Sequence, residues 1–219
     1  MAFTGFSPEL LDFFMGVRLN NSKAYMDANR EVYKRVAREP FLALAAELAP
    51  VVARIDPALE VRPERVVSRI NRDTRFSKDK SPYRDHLWIG YKPPKTRASE
   101  AHGFFFDVTL EGYHYGCGIW GEVRPLMNAF RDRVEAFPDT FRQLLSEPKL
   151  KDFAVGGDLY KKDRKPEIDA DLKPWVNRKS LFLEFEGPLG AGLFTPQLAQ
   201  EVRAGFEAMA QWYRFVMGI

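Results

Sequence analysis

GFFFDVTLEGYHYGCGIW, Gly103 to Trp120, is the stretch on which the fold turns. Taking Glu111 and Gly112 as a two-residue turn predicts a β-hairpin with Leu110 opposite Tyr113, Val108 opposite Tyr115, Phe106 opposite Cys117 and Phe104 opposite Ile119. Every one of these residues is apolar, so this face is expected in the core. The same register places Thr109 opposite His114, Asp107 opposite Gly116, Phe105 opposite Gly118 and Gly103 opposite Trp120 on the reverse face. Glycines there leave backbone uncovered beside Asp107, His114 and Trp120, which suits either a closely packed element or the floor of a ligand cleft. Cys117 falls on the core face and reads as inert packing. Gly116, Gly118 and Gly121 spell GxGxxG ahead of a helix expected from Glu122 to Ala136. A dinucleotide fingerprint needs its first glycine in a turn after a parallel strand, and the hairpin puts Gly116 and Gly118 inside an antiparallel one.

Helices flank the hairpin on both sides in sequence. Ser7 as cap, Pro8 at the first position and Phe6 against Leu11 predict a helix start, with Leu10, Leu11, Phe13, Phe14 and Val17 on its buried face. Asn20 and Asn21 break it, and a second helix starts near Ser22, with Tyr25, Asn29, Tyr33 and Val36 at helical spacing. A polar Asn29 on that stripe calls for partners, either as a structural hydrogen-bond hub or as a ligand contact. Pro40 opens a third helix, which ends before Pro57. Beyond the hairpin, Leu126 to Phe137 and Asp139 to Leu145 read as helical, and Asp169, Asp171 and Trp175 fall on a short helical turn. Ser180 to Glu186 alternates like a half-buried strand. A last helix begins with Thr195 as cap and Pro196 at its first position, and Leu198, Val202, Phe206, Met209, Trp212, Tyr213 and Val216 stripe one face. The expectation is an α+β fold: a single domain spanning residues 1–219, with an antiparallel sheet and helices packed mainly on one face.

The composition supports a sizeable core, with 219 residues, 45% hydrophobic, and 18 Phe. One cysteine excludes an internal disulfide framework and fits a reducing compartment. No stretch reads as a secretory leader or approaches a membrane span, so a soluble, cytoplasmic protein without membrane association is expected. The pI near 8.9 is modest, and any nucleic-acid binding must come from a local patch.

Such a patch is visible. From Arg62 to His86, eight Lys or Arg stand against four acids, a local net charge of +4 in a chain whose total is +3. Val66 to Asp73 alternates as a strand would, and RFSKDKSPY follows as a loop in which Ser77 can cap a turn, Pro82 extends the backbone, and Phe76 and Tyr83 can anchor. Arg suits two-pronged recognition of phosphate or carboxylate, and Lys acts as a point charge. Arg69, Arg72, Arg75, Lys78, Lys80 and Arg84 are therefore the candidate anion-binding residues. Taken singly, each arginine is as well explained by a structural ion pair with Asp73, Asp79 or Asp85. A second basic run, Lys161, Lys162, Arg164 and Lys165, would enlarge the basin if its loop folds beside the first.

RINRDTRFSKDKSPY resembles the signature of an uncharacterised bacterial and fungal family catalogued as domain of unknown function 2461. The resemblance continues in FTGFSPELLDFF, NNSKAYMDANREVY, GYHYGCGIW, LYKKDRKP and WVNRKSLFLE, and so spans nearly the whole chain. It implies that Arg69, Arg72, Asp73, Arg75, Phe76, Ser77, Lys78, Asp79, Lys80, Pro82 and Tyr83 belong to the family pattern, with Trp expected where this chain has Tyr25. No activity comes with it.

Three function classes follow. The first is a binding module for a phosphorylated ligand or nucleic acid, with Phe76, Tyr83, Trp88 and Tyr91 interleaved as possible stacking partners. The second is an enzyme acting on an anionic substrate, with Asp73 or His86 as acid or base and Arg72 and Arg75 clamping charge. The third is a module docking an acidic protein surface. His86, His102 and His114 lack a second close ligand, so no metal site is expected, and no cofactor motif such as GxxxxGK or GxSxG is present.

Overall fold

A computed structural model of the protein describes residues 2–75, 78–97 and 100–219. The hairpin forms from β2 (His102–Val108) and β3 (Tyr113–Ile119). It is flanked by β1 (Leu87–Tyr91) and by β5 (Leu181–Gly187), and β4 (Ala154–Gly156) adds to the outside of β5. All pairings are antiparallel, in the order β1-β2-β3-β5-β4.

The register of the hairpin differs by two residues from the sequence expectation. Val108 faces Tyr113, Phe106 faces Tyr115 and Phe104 faces Cys117. Thr109 is the reason. Its amide donates to the Gly112 carbonyl at 2.9 Å, and its Oγ1 accepts from the amides of Glu111 and Gly112 at 3.0 and 3.2 Å, closing a four-residue loop in place of a two-residue turn. A slip of two keeps every side chain on its face, so Phe104, Phe106, Val108, Tyr115 and Cys117 are buried as expected. The reverse face is re-paired: Asp107 lies opposite His114, Phe105 opposite Gly116 and Gly103 opposite Gly118. Gly103 and Gly118 both have left-handed φ, +132° and +138°, and a Cβ on either would lie 2.0 and 2.4 Å from the carbonyl oxygens of Tyr91 and Leu181. Only glycine fits at this pair.

The helices gather on the other side of the sheet. The N-terminal part comprises α1 (Glu9–Leu19), α2 (Lys23–Ala28), α3 (Arg30–Tyr33) and α4 (Glu39–Ile55), with a π-helical turn, Lys34–Arg38, leading into α4. Ser22 caps α2, its Oγ accepting from the Tyr25 amide at 3.2 Å. Ser7 does not cap α1: Pro8 holds that position, and the Ser7 hydroxyl is buried without a partner among the described residues. The chain continues through α5 (Pro63–Val66), then α6 (Arg124–Ala136), α7 (Pro138–Leu145), α8 (Lys173–Val176) and α9 (Gln197–Met217). Thr195 does not cap α9; its hydroxyl donates to the Gly192 carbonyl.

Helices α4 and α9 cover the core face of the sheet. Phe104 lies 4.9 Å from Phe206 and 4.7 Å from Tyr213, and Phe6 bridges Phe41 and Phe106 at 4.9 and 6.1 Å. Burying such rings removes large apolar areas from water and is the main stabilising term of this core. The Tyr213 hydroxyl donates to the buried Asp56 carboxylate at 2.8 Å, which ties α9 to the end of α4. Among the described residues, no helix is long and apolar enough to cross a membrane.

The strand expected from Val66 to Asp73 is replaced by other structure. Pro63 starts the short helix α5, which ends at Val66, and the chain then runs extended beside β1 with single bridges at Val67–Ile89 and Asn71–Tyr83. Ser68 Oγ takes the Trp88 amide at 3.0 Å, so a side chain substitutes for a ladder carbonyl and regular pairing stops. Alternation survives: Ser68 and Ile70 are buried, while Arg69 and Asn71 are exposed.

Candidate functional site

The charged segment runs out from α5 and returns at Pro82 to Leu87 to enter β1. Its two arms are held by Arg72 N–H to the Pro82 carbonyl and Arg84 N–H to the Ile70 carbonyl, both at 2.8 Å. A third tie comes from far in sequence. The Asn21 amide group donates to the Tyr83 carbonyl at 2.9 Å and accepts from the Tyr83 N–H at 3.0 Å, pinning the returning arm to the α1–α2 junction. Arg18, at the end of α1, bonds Asp85 at 2.5 Å and Glu111 of the hairpin loop at 3.0 Å. Between these elements lies a cavity of about 550 Å³, lined by Arg18, Asn21, Arg72, Asp73, Asp79, Ser81, Tyr83, Arg84, Asp85 and His86.

The cations of this segment sort into two groups. Arg72 pairs with Asp79, and Arg75 grips Asp73 through two bonds of 2.7 and 2.9 Å. Hydrogen bonds from Arg75 hold Asp73 down to about 2, and those from Ser81, then Arg72, do the same for Asp79. Arg69, Lys78, Lys80 and Arg84 have no carboxylate partner among the described residues. Lys80 donates to the Thr74 carbonyl at 2.9 Å, and Arg84 donates to the carbonyls of Arg69 (2.9 Å) and Asn71. The Arg84 guanidinium also sits 4.9 Å from the centre of the Trp88 ring. Burial first, and the Arg72 charge second, push Arg84 below its ordinary value.

The two candidate proton-transfer residues differ in setting. Asp73 is 56% exposed and held ionised by Arg75, so it clamps charge rather than carrying protons near neutral pH. His86 stacks on Trp88 at 5.7 Å and meets Asp85 through Nδ1 at 3.1 Å. Burial alone would raise Asp85, but hydrogen bonds from Arg18 and His86 outweigh it and hold the carboxyl below its usual range. Phe76 and Ser77 of the signature lie outside the described residues.

Lys161 and Lys162 do not join this basin. Their loop leads into β5 from the β4 edge, whereas the first loop leads into β1 on the other edge, four strand spacings or about 19 Å away. The two loops also enter the sheet at opposite ends, Leu87 pairing with Val108 and Leu181 with Ile119. Lys165 bonds Asp132 and Glu135 of α6 at 3.2 and 2.6 Å, and Arg164 lies over the Tyr160 ring.

A second cavity, of about 440 Å³, opens on the sheet face away from α4 and α9, with α5 at one edge. Asp107 and Trp120 line it with Trp88, Phe105, Phe182 and Glu184. His114 stands beside it, its Nδ1 2.8 Å from Asp107 Oδ1; that hydrogen bond raises its pKa, with burial opposing. Asn29 is not part of either cavity. Its side chain donates to the Tyr25 carbonyl one turn back, at 2.9 Å, and closes the end of α2. Cys117 is buried beside Met209, and burial raises its thiol well above the ordinary value. Among the described residues, no group of His, Cys, Asp or Glu is arranged to hold a metal ion.

Reading the sequence missed Arg18 and Asn21. Asn21 marks a helix end, and nothing in its neighbourhood signals a partner 62 residues away. No curated protein matches the chain. A family model does match, over residues 9–215, taking in the charged segment, the sheet and nearly all of α9: the chain belongs to the family described as conserved hypothetical protein (DUF2461).

Proposed function

We propose that this protein is a binding module for phosphorylated ligands, engaged by Arg84 at the cavity beside β1 together with Arg69, Lys78 and Lys80 of the same charged segment. The observation that carries the reading is Arg84. Its guanidinium is partly removed from water, donates only to backbone carbonyls among the described residues, and faces a cavity large enough for a nucleotide. A cation so placed gains from an arriving phosphoryl group, which accepts hydrogen bonds in the planar, two-pronged geometry that guanidinium offers. Arg72, Asp73 and Asp79 line the same cavity, with Arg72 paired to Asp79 and Asp73 to Arg75. Binding is favoured over catalysis because Asp73, Asp79 and Asp85 are each held by an arginine, which keeps them ionised.

Titration calorimetry with inorganic phosphate, ATP and a short DNA duplex at low ionic strength tests this. Binding of at least one is expected, with an affinity for duplex that falls with log salt at a slope of about −3 to −4, the value for four phosphate contacts. Arg84→Gln is expected to weaken binding about tenfold, and absence of salt-sensitive binding to all three ligands overturns the proposal.

A further inference from the structure

The cavity on the open face of the sheet lies across Trp88 from the charged segment and is built from different chemistry. Phe105 is its hub: Trp120 meets it edge-on at 5.6 Å and 70°, and Phe182 at 6.3 Å and 84°. With Trp88 these rings form an aromatic enclosure. Gly116 lies between Phe105 and Glu184 in the sheet register, so no side chain screens the carboxylate from the rings. Glu184 is half-buried and has no hydrogen bond or ion pair among the described residues; burial raises its pKa, and the charges of Asp107 and Glu186 add to the rise while His114 opposes it. Two carboxylates, Asp107 and Glu184, thus line the cavity, with the His114 imidazole bonded to Asp107 beside it.

We infer that this cavity binds a small organic cation: an ammonium carried on an apolar or aromatic body. Aromatic faces are electron-rich and attract cations, and a partly desolvated carboxylate without a donor gains from an ammonium brought to it. The body fits among the rings, and the ammonium reaches Glu184 and Asp107. Arg65 and Lys92 also line the cavity, but at the α5–β1 edge; Lys92 sits three strand spacings, about 14 Å, from Glu184 and donates to the Thr96 carbonyl. They leave the sheet end anionic.

Benzylamine, benzyl alcohol and benzoate share one ring and differ in charge, and their binding is readable from tryptophan fluorescence because Trp88 and Trp120 line the site. Benzylamine is expected to bind about tenfold more tightly than benzyl alcohol, with benzoate weaker still. Glu184→Gln, and separately Asp107→Asn, are expected to shrink the preference for the amine while leaving benzyl alcohol binding in place. Equal binding of the three, preference for benzoate, binding of none, or a preference that survives both substitutions overturns the inference.

Discussion

Two basic loops that look alike in sequence are placed differently by the fold, one beside a cavity at the β1 edge and one on the β4 edge. The loop entering β5 holds part of its charge internally, while its Lys161 and Lys162 stay exposed with no carboxylate partner among the described residues. Lys165 is held by Asp132 and Glu135, Lys173 by Asp163, and Arg178 by the Gly157 and Pro174 carbonyls. Beneath it Arg131, 3% exposed, donates to the Val176 carbonyl, the Asn128 side chain and the Arg178 carbonyl at 2.5 to 2.7 Å. In the loop entering β1, Arg69, Lys78, Lys80 and Arg84 have no carboxylate partner among the described residues. Arg84 and Arg131 are both bound to carbonyls, yet Arg131 is enclosed by protein and Arg84 borders a cavity. The lesson is that local net charge does not identify an anion site. What matters is whether the fold delivers carboxylates from elsewhere: α6 delivers Asp132 and Glu135 to one loop, whereas α1 delivers Arg18 and Asn21 to the other.

The largest expected effect sharpens the structural half of this contrast. Arg131→Met leaves the buried Val176 carbonyl and the part-buried Arg178 carbonyl without their donor and should lower the free energy of unfolding by about 3 kcal/mol, read from denaturant midpoints, with phosphate affinity unchanged in the folded fraction. Next is Asn21→Ala, which removes both hydrogen bonds to the Tyr83 backbone. It should cost about 1–2 kcal/mol and, unlike Arg131→Met, should also weaken anion binding, because the arm carrying Arg84 loses its anchor.

A pH experiment tests whether Arg72 and Arg75 are truly occupied. Asp73 and Asp79 have folded pKa values of about 2, below the ordinary 3.8. Depressed carboxyl values mean that the pairing is fully present above pH 4 and is lost as pH falls toward 2. Carboxyl carbon titration by NMR should give midpoints near 2 for both, and Arg75→Gln should return Asp73 toward 3.8. An ordinary midpoint for Asp73 in the wild type would free Arg75 for ligand and steepen the salt slope. The smallest effect is expected for Lys161→Gln with Lys162→Gln: stability within about 0.5 kcal/mol of wild type and no change in phosphate affinity. Weaker binding in that variant would break the contrast between the loops.

Much of this was legible in the sequence because it rests on short-range periodicity. Alternation gave both faces of the hairpin, and helical spacing placed Leu198 to Val216 in the core, since apolar burial depends only on which side of a strand or helix a residue occupies. The turn was misjudged by two residues because Thr109 uses its hydroxyl to close a longer loop, a choice that costs too little energy to be forecast from residue type. Membership of the family rests likewise on local motifs, with the family model covering residues 9–215.

The chain alone established an α+β fold, its core faces and a cationic segment. Only tertiary structure decided which charges are neutralised, that Asn21 and Arg18 reach the segment, that Lys161 and Lys162 lie on the far edge, and that Asp107 meets His114 within reach of an aromatic cavity. The physical reason is that burial patterns are set within a few residues, whereas ion pairs and cavities depend on groups brought together across the sheet. Their individual energies of about a kcal/mol leave no mark on sequence periodicity.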